Sequence, residues 1–113
     1  MTDRELLELA AKASGLNLRY NEGKSRAYYA GSLHYMTGQG YTHSPWNPLN
    51  DDGDALRLAV KLSIDIKHYD EHVVAWFDGG YLGTGFIPYD DDPYAATRRA
   101  IVRAAAEIGG AMS

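Results

Sequence analysis

The chain contains no cysteine. That excludes a disulfide framework, a thiolate metal centre, a thiol nucleophile and redox chemistry at sulfur. Long apolar runs are missing as well. The best candidate, residues 55–62, is interrupted by Arg57 and Lys61, so nothing approaches the roughly 18 residues of a membrane-spanning helix. The opening residues Thr2, Asp3, Arg4 and Glu5 lack the basic start, apolar stretch and cleavage site of a secretory signal, and a cytoplasmic location is expected. Positive charge is scarce: 11 Lys and Arg against 15 Asp and Glu leave a formal charge of -4. Nucleic-acid binding typically shows as a basic domain, so no nucleic-acid partner is expected, and acidity this mild does not read as DNA mimicry.

What is present fits one core. A chain of 113 residues with 45% apolar side chains predicts a single domain spanning 1–113. Residues 2–14 read as a helix, because Thr2 and Glu5 have capping-box spacing, Leu6, Leu9, Ala10 and Ala13 recur on one side, and Gly15 is a natural stop. Leu16, Leu18 and Tyr20, the turn at Asn21-Glu22-Gly23-Lys24 and residues 26–30 suggest a hairpin, with another short strand near 33–36. Gly38 and Gly40 supply a flexible exit toward Pro45.

Pro45-Trp46-Asn47-Pro48 is extended or turned, and Asn50 or Asp51 caps a second helix whose buried side is expected to be Leu56, Ala59, Val60 and Leu62. Ile64 and Ile66 then alternate with Asp65 and Lys67, pairing across Tyr69-Asp70-Glu71 with an apolar strand over 73–77. After a turn at Asp78-Gly79-Gly80, Tyr81, Leu82, Phe86 and Ile87 make a strand loosened by Gly83 and Gly85. Asp92 and Pro93 start a last helix to about Ile108, with Tyr94, Thr97, Ile101, Ala104, Ala105 and Ile108 as its apolar face. The expected fold is α+β: three helices packed on a mainly antiparallel sheet, like an α-β-α sandwich.

Three segments carry a resemblance. They are Thr2-Asp3-Arg4-Glu5-Leu6-Leu7, the more specific Trp46-Asn47-Pro48-Leu49-Asn50-Asp51-Asp52-Gly53-Asp54-Ala55-Leu56, and Asp92-Pro93-Tyr94-Ala95-Ala96-Thr97-Arg98-Arg99-Ala100-Ile101. Together they resemble small bacteriophage and prophage proteins of the phage α-β-α (ABA) sandwich family and, more distantly, the NinX-like proteins of lambdoid phages. The resemblance implies a fold and a phage origin. It brings no activity and no catalytic residues.

Four features invite a chemical reading, and each has a structural one. Asp51, Asp52 and Asp54 are hard ligands suited to Mg²⁺, yet carboxylates at a helix start are equally explained by capping and the macrodipole. The same holds for Asp90, Asp91 and Asp92. His68 and His72 flank a turn where they could share a metal or a proton, but a zinc site needs more ligands, and His34 and His43 lie far off in sequence. The glycines of 79–85 suggest a phosphate loop, but Phe86-Ile87-Pro88 follows where a lysine and a helix are required. Arg98, Arg99 and Arg103 read as a solvated helix face. No metal and no cofactor are expected.

The remaining anomaly is aromatic. Nine tyrosines and two tryptophans crowd the chain, with Tyr28, Tyr29, Tyr35, Tyr41 and Trp46 in one glycine-rich stretch. These side chains bury large areas while keeping a polar handle, which suits a recognition surface, although tyrosine is also a good strand residue. The expectation is a non-enzymatic phage accessory protein that binds a host or phage protein through these five aromatics. The alternative is a small metal-dependent enzyme or nucleotide-binding protein acting in phage nucleic-acid metabolism or counter-defence, with Asp51, Asp52 and Asp54 as ligands and His68 or His72 as acid or base. A homodimer is expected if an outer strand or aromatic face is left uncovered.

Overall fold

Three well-capped helix starts frame the molecule. The computed structural model describes residues 1–21, 32–37 and 40–112, with backbone alone at 21, 37 and 40–43. Helix α1 (Asp3–Ser14) opens with the expected capping box: the Thr2 hydroxyl accepts from the Glu5 amide at 3.1 Å. The Glu5 carboxylate accepts from the Thr2 amide in return, also at 3.1 Å. Gly15, at φ 71°, ends the helix in the left-handed conformation that glycine adopts without penalty.

Strands β1 (Leu18–Asn21), β2 (Ser32–Thr37) and β3 (Gly40–Trp46) form an antiparallel sheet in that order. The strand facing β1 is β2, with Leu18 opposite Tyr35 and Tyr20 opposite Leu33. The expected hairpin partner at 26–30 lies outside the described residues, as do all of residues 22–31. Pro45 and Trp46 are extended at the end of β3 and 48–50 form a turn, as expected, and among the described residues β3 is an edge strand, where a missing N–H costs the ladder little.

Helix α2 (Asp52–Lys61) is capped by Asp51, whose carboxylate accepts from the Asp54 amide at 2.8 Å. Its buried side is Asp54, Ala55, Leu58 and Ala59. Of the four residues expected there, Ala59 is buried and Leu62 packs against the core from the cap, but Leu56 and Val60 stand 62% and 72% exposed. The helix turns its alanine-lined stripe to its neighbour, because small side chains allow close approach, and the bulkier stripe is left outside.

Strands β4 (Asp65–His68) and β5 (His72–Phe77) pair antiparallel, and β6 (Leu82–Gly83) and β7 (Ile87–Pro88) share the other edge of β5. The single third strand expected over 81–87 is thus two short ones, broken around Gly85 at φ 79°. The described strands make two antiparallel sheets where one was expected, and the fold is α+β.

Helix α3 (Pro93–Gly110) is the hub. Asp92 caps it, accepting from the Ala95 amide at 3.0 Å, with Pro93 in the first turn as expected. It packs on α1, α2 and β5 at once. That is why Ala96, Ala100, Val102, Ala106 and Gly109 are buried alongside the predicted Ile101, Ala104 and Ala105. Tyr94, expected in the apolar face, is 73% exposed, at the mouth of a cleft it shares with Leu56, Ile66 and His68. At the far end, a Cβ on Gly109 would land on the Leu9 carbonyl oxygen, so glycine is what lets α1 and α3 touch. Leu33 and Trp46 bring the first sheet into the same apolar cluster as the helices.

Candidate functional site

The five aromatics singled out from the sequence do not form one exposed face among the described residues. Tyr28 and Tyr29 lie outside those residues, as does the side chain of Tyr41. Tyr35 is half-buried against the core; burial, and then the Asp54 carboxylate, push its hydroxyl above the ordinary tyrosine range. Trp46 is 2% exposed. It ends β3 opposite Leu33 and fills the corner where the chain turns toward α2, so its indole is core and not contact surface.

The clustered acids have structural partners. Asp51 is the cap already described. Asp54, buried, accepts from the Asn47 amide at 3.0 Å and from the Arg57 guanidinium at 2.7 Å, tying the turn before α2 to the helix. Asp52 pairs with Arg98 at 2.7 Å, and Arg98 also donates through Nε to the Leu49 carbonyl at 2.7 Å. Arg99 pairs with Asp3 at 3.1 Å, joining the starts of α3 and α1. Among the described residues, no group of three or more His, Asp or Glu side chains is placed to hold a metal ion.

The histidines beside the hairpin point to opposite faces of the second sheet. His68 lies across from Val73, whereas His72 lies across from Tyr69, whose amide donates to the His72 carbonyl at 2.9 Å. Successive strand residues alternate between faces, so the two imidazoles cannot share an ion or a proton. His68 Nδ1 meets the Tyr89 hydroxyl at 2.6 Å on the helix-covered side. His34 is fully buried in β2, its Nδ1 3.3 Å from the Ser32 carbonyl oxygen.

The opposite face of the second sheet holds a feature that sequence reading missed. His72 is the corner of a three-ring cluster there: Tyr69 stacks on it at 4.6 Å, Phe86 tilts against it at 4.2 Å, and the Tyr69 and Phe86 rings meet at 6.2 Å. Lys67 reaches over the Tyr69 ring at 5.9 Å. Phe86 is 73% exposed and Tyr69 43% exposed, so large apolar rings face solvent although neighbours fix their positions. The His72 Nε2 is buried in this cluster and has no hydrogen-bond partner among the described residues. Lys67, Asp70 and Glu71 supply charge of both signs around the rings. Further along the same face, the half-buried Trp76 lies over Gly83.

This arrangement holds aromatic area in place inside a charged rim. What it can do chemically is bury its rings against something else. Recognising it in the sequence would have required the hairpin register, since only that register brings His72 beside Tyr69, whose ring also meets Phe86 directly at 6.2 Å. No helix among the described residues is long and apolar enough to cross a membrane. Comparison of the chain with protein-family models, with curated proteins and with solved structures finds no match.

Proposed function

We propose that the chain acts by binding and not by catalysis: a phage accessory protein that engages a host protein through the Tyr69, His72 and Phe86 face. The observation that carries this reading is the exposed cluster of three rings in mutual contact. An exposed phenylalanine held by its neighbours loses little side-chain freedom on binding, which is the property of an interface anchor. The charged rim around it suits a partner with apolar side chains ringed by polar ones. The phage origin rests on the resemblance carried by residues 46–56 and fixes where to look for the partner, in a bacterial lysate.

Burying Phe86 fully against a partner is worth about 2 kcal/mol, so Phe86→Ala should weaken binding roughly 30-fold. The test is quantitative affinity capture from bacterial lysate, with Tyr81→Ala as control because Tyr81 is even more exposed than Phe86 but lies outside the ring cluster. A protein retained by the parent chain and by Tyr81→Ala, and lost with Phe86→Ala, supports the reading. Equal capture by all three overturns it, as does recovery of nothing above background. Saturable heat on titration with Mg²⁺ or Mn²⁺, abolished by Asp51→Asn, would favour the metal-dependent alternative instead.

A further inference from the structure

The second sheet ends on β4, and among the described residues β4 pairs with β5 alone. The hairpin bond from the Tyr69 amide to the His72 carbonyl fixes which backbone groups turn inward. Residues 65, 67 and 69 face β5, and the N–H and C=O groups of Ile66 and His68 therefore face outward. The Ile64 amide is already taken by the Ala59 carbonyl at 2.9 Å, while its own carbonyl remains on the outer side. Beside this open edge runs the uncovered stripe of α2: Leu56 shares a cleft with Ile66, His68 and Tyr94, and Val60 stands one turn further along.

We propose that two copies of the chain pair edge to edge through β4, about a twofold axis at Ile66. In that register Ile66 exchanges both backbone hydrogen bonds with Ile66 of the second copy, and the His68 amide donates to the Ile64 carbonyl across the axis. The side chains agree with the backbone. Asp65 falls opposite Lys67 of the second copy, twice by symmetry, in the closely spaced non-hydrogen-bonded positions where charge pairing matters most. The neighbouring allowed register centres on Lys67 and sets two lysines against each other. The register centred on Asp65 likewise sets two aspartates against each other, so charge favours the Ile66 pairing over both neighbours.

A short edge strand carrying a lysine is also how proteins discourage pairing, so β4 alone decides little. The α2 stripe decides it. A twofold axis perpendicular to the sheet brings both copies of α2 to the same face, flanking the axis, where Leu56 and Val60 of each copy can cover those of the other. A monomer leaves both residues largely in water.

Sedimentation velocity over a concentration series tests this. The full chain should approach twice its 12.5 kDa mass as concentration rises. Lys67→Asp, which places an acid opposite Asp65 in both contacts, should raise the dimer dissociation constant at least tenfold. The double exchange Asp65→Lys with Lys67→Asp restores complementarity and should recover the dimer. Leu56→Asp should dissociate it with unchanged far-ultraviolet circular dichroism, since the residue is exposed in the monomer. A chain monomeric at every concentration overturns the proposal. So does a dimer indifferent to Lys67→Asp, or one that the double exchange fails to rescue.

Discussion

Gly83 lies directly under the indole of Trp76: a Cβ at this position would sit 2.7 Å from the ring's Cε3. The two residues are also register partners between β5 and β6, so the ring is laid across the strand beside it. Gly83→Ala must therefore move the indole. Because Trp76 is only half-buried, it can swing outward, and the expected cost is about 1 kcal/mol. Urea unfolding should show that loss together with a red-shifted emission, since the other tryptophan, Trp46, stays enclosed. Unchanged emission would mean that the ring does not rest on Gly83.

Neighbouring glycines at the end of α3 should respond with opposite signs. Gly109→Ala drives a methyl group into the Leu9 backbone, which cannot yield without moving α1, and should cost about 3 kcal/mol. Gly110→Ala meets nothing within 4 Å and removes a flexible residue from a helix, so it should gain about 0.5 kcal/mol. Thermal unfolding of the two variants checks both signs in one experiment.

Arg98 bridges two parts of the chain with one side chain. Arg98→Ala leaves the carbonyl of buried Leu49 without its donor and should cost about 2 kcal/mol. Asp52, the other partner, is mostly in solvent, and Asp52→Asn should change stability by less than about 0.5 kcal/mol. Equal losses in chemical denaturation would show that the ion pair, and not the carbonyl contact, carries the effect.

The capping box makes a statement about acid. Hydrogen bonds from Thr2, that of its backbone amide foremost, hold the Glu5 carboxyl below its ordinary value of 4.5. A depressed folded-state value means that the charged form is favoured by folding. Its contribution is present above pH 4.5 and lost as pH falls through the folded value. The stability gap between the parent chain and Glu5→Gln should therefore narrow on acidification, and a carboxyl ¹³C titration of Glu5 should have its midpoint below 4.5. A midpoint at or above that value would refute the assignment.

The helix starts were readable because they rest on local chemistry: Thr2, Asp51 and Asp92 each cap through a side chain reaching three residues ahead. The inner face of α2 was not. Ala55 and Ala59 give a weak apolar signal although they permit the closest packing, while Leu56 and Val60 give a strong one and stay outside. The histidine pair failed on a single residue of register. A turn taken as Tyr69-Asp70-Glu71 leaves His68 and His72 free to converge, whereas the observed two-residue loop, Asp70-Glu71, pairs Tyr69 with His72 and sends His68 to the other face. Trp46 was misplaced for a different reason. An aromatic surplus in composition does not reveal which rings the core consumes.

The close seat of α1 on α3 has a consequence for how the chain is made. Lys12 and Met112, which touch beside that seat, are 100 residues apart, so α1 emerges from the ribosome long before its partner has been translated. At about 5–20 residues per second the delay is roughly 5–20 s, far longer than a helix needs to form. Throughout it, Leu6, Leu7 and Ala10 have no α3 to lie against. Nascent α1 is thus an amphipathic helix in search of cover, open to a chaperone until α3 arrives.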